Sequence, residues 1–302
     1  VHEARRTGKF DMAVSAESVK KLRDKTGAGM ADCKKALEEA QGDESKAIEV
    51  LRKKGAASAA KRSDRIAKEG VIAARVSEDK KRGVLAEVNS ETDFVARNES
   101  FIQFAQEIAD AALAANANSH EEFLLAKLSN GATISEEVGA QTGRLGEKLE
   151  ARRFEMLTEP NGFVTSYIHP GAKLGVLVAI SGSSNAVALG RDIAMQVAAM
   201  NPMALDRSQI SSTQIEKELE IYRTQARNEG KKEEIIDRIA KNKLEKFYQD
   251  NCLVEQSFIK DAAKTITDLL TESGNLKVTG FVRMQLGEMH KHAEPAAEEA
   301  VA

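Results

Sequence analysis

Tryptophan is absent from this chain, and aromatic residues make up only 4% of it. Stacking platforms for bases or sugars need repeated aromatic faces, so none is expected. Cysteine is nearly absent too: Cys33 and Cys252 are the only two, and neither has a partner at metal or redox spacing. A reducing, cytosol-like compartment is therefore the default. No apolar run approaches the ~18 residues that a membrane span needs, and no membrane partner is expected. An excess of one charge is also missing, since 44 Lys and Arg meet 47 Asp and Glu for a net of −3. Such a surface does not, as a whole, advertise nucleic acid, and no direct nucleic-acid partner is expected.

Reactive constellations are as scarce. Of five histidines, His2, His290 and His292 sit in terminal segments and His120 in a polar helix start. Only His169, in the turn "YIHPGAKLG", is placed to act, and no Ser, Cys or carboxylate partner stands near it in sequence. "TGAGMADCK" superficially suggests a phosphate loop, but it lacks the Gly-Lys-Ser/Thr ending and no strand precedes it. No paired carboxylates or nucleophile can be assembled. The chain reads as a binding protein, not an enzyme, with no cofactor and no metal.

What is present is organisation. The 302 residues, 42% of them hydrophobic, allow about two domains plus accessories. "VHEARRTGKFD" precedes Met12, is basic and unpatterned, and is expected to be a scar, an upstream extension or a processing remnant. In the last case an organellar location replaces the cytoplasmic one. Residues 13–55 are expected to form a three-helix docking module. Ser15 caps the first helix, with Val19 and Leu22 as its stripe. Met30, Cys33 and Leu37 line the second, and Asp43 caps a third that carries Ile48 and Leu51. Small Ala, Ser and Gly amid basic residues at 56–69 suggest a linker.

The strongest signal is an internal repeat. "GVIAARV" (70–76) matches "GFVTSYI" (162–168), and "GVLAEV" (83–88) matches "GVLVAI" (175–180). Both matches are offset by the same 92 positions, as hairpins with equally long turns require. Each hairpin leads to a helix, "EIADAALAANA" in one copy and "DIAMQVAAMNP" in the other. The fold class expected is α+β, a two-subdomain core built from a repeated hairpin–helix unit. Its parts are 70–151 for the first subdomain, and 152–210 with 251–287 for the second. Between the copies, Ile134, Val138, Leu145 and Leu149 fall on one helical face. Residues 211–250 read as an antiparallel helical hairpin or coiled coil. Its seams are Ile215, Leu219, Tyr222 and Ala226 against Ile236, Ala240, Leu244 and Phe247, with Gly230 in the turn. A last helix capped by Asp261, the strand "LKVTGFVRMQL" and a disordered tail from 288 complete the reading.

The copies differ in one place. Val88 to Ile108 spans about seven residues more than Ile180 to Ile193, and the surplus holds "NSETDFVARNES". An insertion that the sister copy lacks is not needed to close the fold, which points to a functional loop. Phe94 and Val95 lie inside it. Burying a Phe is worth roughly 1.5–3 kcal/mol, so its ring belongs either against its own core or against another molecule.

At "TGAGMADCKKALEEAQGDESKAIEVLRKKG", "NSETDFVARN" and "YIHPGAKLGVLVA" the chain resembles the bacterial-type elongation factor Ts family. The resemblance runs in order from about Ala13 to Gly287. It implies a ubiquitin-associated-like N-terminal domain, a two-subdomain core and a protruding coiled coil. It also implies a function: guanine-nucleotide exchange on the GTPase elongation factor Tu in translation, bound both with GDP and without nucleotide. The loop of Thr92, Asp93, Phe94 and Val95 would enter that GTPase near its magnesium, with Phe94 as a wedge. Arg23, Met30 and His169 would be further contacts, although Ala31 stands where the family usually has a second Met. Two other classes remain open. One is a ribosome- or RNA-associated binding protein acting through the basic segment. The other is an oligomeric scaffold, and even an exchange factor could form a homodimer through its helical hairpin.

Overall fold

The computed structural model describes residues 14–182 and 186–288, so the extension expected at 1–11 and nearly all of the tail lie outside it. Helices α1 (Ala16–Thr26), α2 (Met30–Glu39) and α3 (Glu44–Lys61) form the N-terminal module. Ser15 caps α1 by accepting from the Ser18 amide. Val19, Leu22, Cys33, Ala36 and Leu37 close a small core, while Met30, expected in that stripe, is 45% exposed at the first position of α2. The third helix runs six residues past the expected module boundary. Alanine, frequent in its last turns, is the best helix former, and Gly55 leaves room for a neighbour.

That neighbour arrives after β1 (Glu69–Val76), β2 (Arg82–Ser90), α4 (Asp93–Ala96), α5 (Glu99–Ala115) and α6 (His120–Leu125). It is α7 (Ile134–Leu145), which packs along α3. A Cβ added at Gly143 would stand 2.9 Å from the Gly55 Cα, so only glycine permits this crossing. The module is thus packed on the core and not simply tethered to it.

Leu149 does not continue α7, as its helical spacing had suggested. The helix stops at Gly146, whose φ of 74° is left-handed, and Leu149 opens β3 (Leu149–Thr158). β3 pairs with β2, so the first sheet runs β1-β2-β3 and the first subdomain extends past the expected boundary at 151. The second sheet is β4 (Gly162–Ile168), β5 (Leu174–Ser181) and the late β8 (Lys277–Gln285), in the order β4-β5-β8.

The repeat is carried through in register. Gly70 pairs with Asn89 and Gly162 with Ser181, each position shifted by 92. β2 and β5 carry the same irregularity toward their third strands, between Glu87 and Val88 and between Ala179 and Ile180. The two sheets face each other across Ile72, Leu85, Val164, Leu177, Ala179 and Met284. They also exchange turns: the Ile72 amide donates to Ala172 O, and the Val164 amide to Lys80 O, each at 2.6 Å. Helix α5 covers the outer face of the first sheet, and α8 (Val187–Met200) that of the second. The order of layers is helix, sheet, sheet, helix, an α+β architecture.

Beyond α8, α9 (Ser212–Asn228) and α10 (Glu233–Asn251) form the expected helical hairpin. Ala226, Ile236 and Ala240 are buried in its seam. Gly230 (φ 71°) closes the turn, with the Lys231 amide donating to Ala226 O and the Gly230 amide to Arg227 O. At its base Arg207 bonds to Glu245 and Glu255 and lies over the Tyr248 ring. These carboxylates raise the Arg207 pKa further above its ordinary value. Burial pushes the nearby Cys252 thiol up to about 11.

The expected helix over "DAAKTITDLL" divides. Asp261–Thr265 is β7, paired with the short β6 (Ser257–Phe258), and α11 (Ile266–Glu272) begins only afterwards. Thr265 caps it, not Asp261, in a reciprocal capping box with Asp268.

Candidate functional site

The inserted loop leaves β2 at Ser90 and makes one short turn of helix, α4. Thr92 is its N-cap, accepting from the Val95 amide at 3.5 Å. Asp93 pairs with Arg97 one turn on, at 3.0 Å. Val95 is half-buried against the first core and Ala96 is fully inside it. The two apolar residues that follow Phe94 thus anchor the turn, and Phe94 is left outside. Its ring is 84% exposed, the most of any large apolar side chain among the described residues. Of the two fates open to it in sequence, burial in its own core does not occur.

The loop is held from below by the turn that follows α7. Glu147 accepts from the Thr92 amide (3.1 Å) and from the Thr92 hydroxyl (2.8 and 3.0 Å). Ser90 Oγ donates to Thr92 O at 2.9 Å. The Lys148 amide donates to Glu91 at 2.6 Å, and Arg65 pairs with the same carboxylate at 3.3 Å. The Lys148 amide, with Arg65 adding to it and burial opposing, holds Glu91 below the usual carboxylate range. Glu91 belongs to the inserted stretch, while Glu147, Lys148 and Arg65 carry no motif of their own. Their link to the loop comes from pairing across β2 and β3, which local patterning does not reveal.

The other residues singled out in sequence lie around this support. Arg23 is exposed in the last turn of α1, where its carbonyl accepts from the Gly27 amide at 2.6 Å. Gly27 abuts Arg144 at the end of α7: a Cβ there would stand 2.9 Å from Arg144 Nη1. Met30 follows on the same connection, and Ala31 beside it is exposed. His169 is exposed in the β4–β5 turn, with the Tyr167 hydroxyl 3.0 Å from its Nδ1. That turn is tied to β1 through Ala172 O and through Lys173, whose ammonium pairs with Glu69 at 2.8 Å. Glu69 faces Ser90 in the sheet register, at the root of the loop. Loop, module connection and His169 turn are thereby linked, contact by contact, through residues 144–148 and the start of β1.

Among the described residues no three His, Cys, Asp or Glu side chains are grouped to hold a metal. Cys33 and Cys252 are free and buried. No helix among the described residues is long and apolar enough to cross a membrane. What the arrangement offers is a rigidly based apolar projection with acidic and basic groups at its foot.

Comparison with known proteins is consistent with that geometry. The family model described as Elongation factor TS matches residues 91–288. An elongation factor Ts of Chlorobaculum tepidum is 50% identical over 284 residues, which are 91% of this chain and 99% of the relative. One of Chloroherpeton thalassium is 47% identical over 285 residues, with the same coverage. One of Clostridium botulinum (strain Eklund 17B) is 46% identical over 295 residues, 95% of this chain and 97% of the relative.

Proposed function

Since the chain belongs to the elongation factor Ts family, we propose that it is the guanine-nucleotide exchange factor acting on elongation factor Tu in the cytoplasm. The observation that supports this most is Phe94. It is a large apolar ring, 84% exposed, on a loop that the sister copy lacks and that the fold holds rigidly from below. An exposed ring of this kind gains its burial only in a complex.

In this reading the turn of Thr92, Asp93, Phe94 and Val95 enters the GTPase beside its bound magnesium. Phe94 wedges there and disturbs the magnesium and phosphate contacts. Arg23 and Met30 from the module and His169 from the core add contacts on the same partner. No bond is made or broken by this chain, so it needs no catalytic group and no cofactor. Binding of the factor and binding of the nucleotide are coupled reciprocally. A factor that prefers the nucleotide-free GTPase by ~10⁴-fold weakens GDP by the same factor, ~5.5 kcal/mol. The homodimer considered for the helical hairpin has less behind it. The two seams are spent on each other, and among the large apolar side chains of the hairpin only Ile221 is exposed.

The test is the release of labelled GDP from elongation factor Tu. A substoichiometric amount of this protein should accelerate release many-fold and turn over. An unchanged release rate at saturating protein would overturn the exchange reading.

A further inference from the structure

We propose that Glu147 is a positioning residue of the exchange loop. Its carboxylate fixes Thr92 and, through Thr92, the short helix that presents Phe94. The inference rests on the exchange reading above, and names what makes the loop ready to bind.

Helix α4 is four residues long, far below the length at which a helix sustains itself. Its internal cap bond is long, at 3.5 Å. Phe94, being exposed, makes few contacts that could fix it. Its position must therefore come from the backbone around it, which Val95 and Ala96 anchor after the ring and Glu147 holds before it. One carboxylate takes both the amide and the hydroxyl of Thr92, in charge-assisted bonds that are stronger than neutral ones.

Glu147 is itself presented by a stiff support. Helix α7 begins in a reciprocal capping box between Thr133 and Glu136 and buries Ile134 completely. Gly146 turns the chain at its end in the left-handed region. The next residues are tied independently of Glu147: the Lys148 amide to Glu91, and the Leu149 amide to Thr142 Oγ1 at 3.2 Å. Removing the Glu147 carboxylate should therefore free Thr92 without dissolving the turn. A loop that samples other conformations binds more weakly in proportion to the fraction still competent, while the bound complex itself is unchanged.

Glu147→Ala separates these expectations by two measurements on the whole chain. In the free protein, hydrogen exchange at the Thr92 amide should accelerate about tenfold or more, as befits loss of a bond to a charged group, with the melting temperature close to wild type. In GDP release from elongation factor Tu, the half-saturating concentration should rise about tenfold while the rate at saturation stays. Glu147→Gln, which keeps one acceptor oxygen, should fall between the two. Thr92→Ser, which keeps both donors to Glu147, should keep the wild-type amide protection at position 92. Unchanged Thr92 protection in Glu147→Ala would overturn the proposal whatever the exchange data show. So would a loosened loop with wild-type exchange, or a fallen saturated rate, which would mean that Glu147 touches the partner itself. If the wild-type chain releases no GDP, the exchange reading fails, and the amide measurement still decides whether Glu147 holds the loop.

Discussion

The two hairpin–helix copies share nearly every packing device and part company at one strand end. Gly83 lets the first sheet approach Val164 and Leu177 of the second, and Gly175 lets the second approach Ile72 and Leu85 of the first. Added Cβ atoms would meet those side chains at 2.7 and 3.1 Å in both cases. Helices α5 and α8 both end at an Asn in the left-handed region, Asn116 and Asn201. Against this background two differences stand out. The first copy spends about seven extra residues between its second strand and the end of its helix, part in the Phe94 loop and three in a longer α5. It also buries a charge pair, Glu87 with Arg153 at 2.6 Å, where the second copy has Ala179 against Gly280. What is duplicated builds the scaffold, and what is not duplicated is free to serve a partner or to lock the copies together.

The largest expected effect lies in that charge pair. Glu87 has no exposed surface and also accepts from Asn89 and from the Gly287 amide, while Arg153 donates to Gln285 O. Glu87→Ala leaves the Arg153 charge buried and unpaired, and should cost about 3–5 kcal/mol in urea unfolding. Adding Arg153→Met, which brings the site closer to the apolar character of the second copy, should restore much of that loss. If the double variant is no better than the single, the pair does more than balance charge.

Next come the shared glycines. Gly83→Ala and Gly175→Ala should each cost about 1–3 kcal/mol through overpacking, with Gly175→Ala costing more because its Cβ would also meet Ile168 at 2.9 Å. A large cost at one and none at the other would show that the symmetry of the backbone is not a symmetry of packing. The smallest effect expected is on acid stability. The pKa of Glu91 lies below its ordinary 4.5 in the fold. Its contribution is therefore present above the unfolded value and is lost as pH falls through the folded one. Glu91→Gln should flatten the fall in melting temperature between about pH 5 and 3. No change in slope would remove the Lys148 bond from the loop's support.

The repeat could be read before the structure because alternating strands with equal turns keep one offset over 20 residues. The third strand of the first sheet could not. The pair Arg152 and Arg153, where the register to β2 shifts, breaks its alternation, and Leu149 falls at helical spacing from Val138 and Leu145. The end of α3 reads as a linker because small residues replace its apolar stripe, while the contact beside it, Gly55 against Gly143, joins parts of the chain far apart in sequence. Asp261 has the look of a cap in sequence, but pairing with β6 makes the stretch from Asp261 to Thr265 a strand and leaves Thr265 as the cap. At the site, Phe94 was legible because an insertion can be counted. Glu147 was not, since its role depends on which strands lie side by side.

The central claim is that the unduplicated loop exists for a partner, and Phe94→Ala tests it most directly. Thermal unfolding and GDP release from elongation factor Tu would be measured on the same preparation, across a range of factor concentrations. The ring is exposed, so the melting temperature should stay within about a degree or two of wild type. Exchange efficiency should fall at least about 30-fold, the counterpart of ~2 kcal/mol for a central aromatic contact. Unchanged stability together with unchanged exchange would contradict the account.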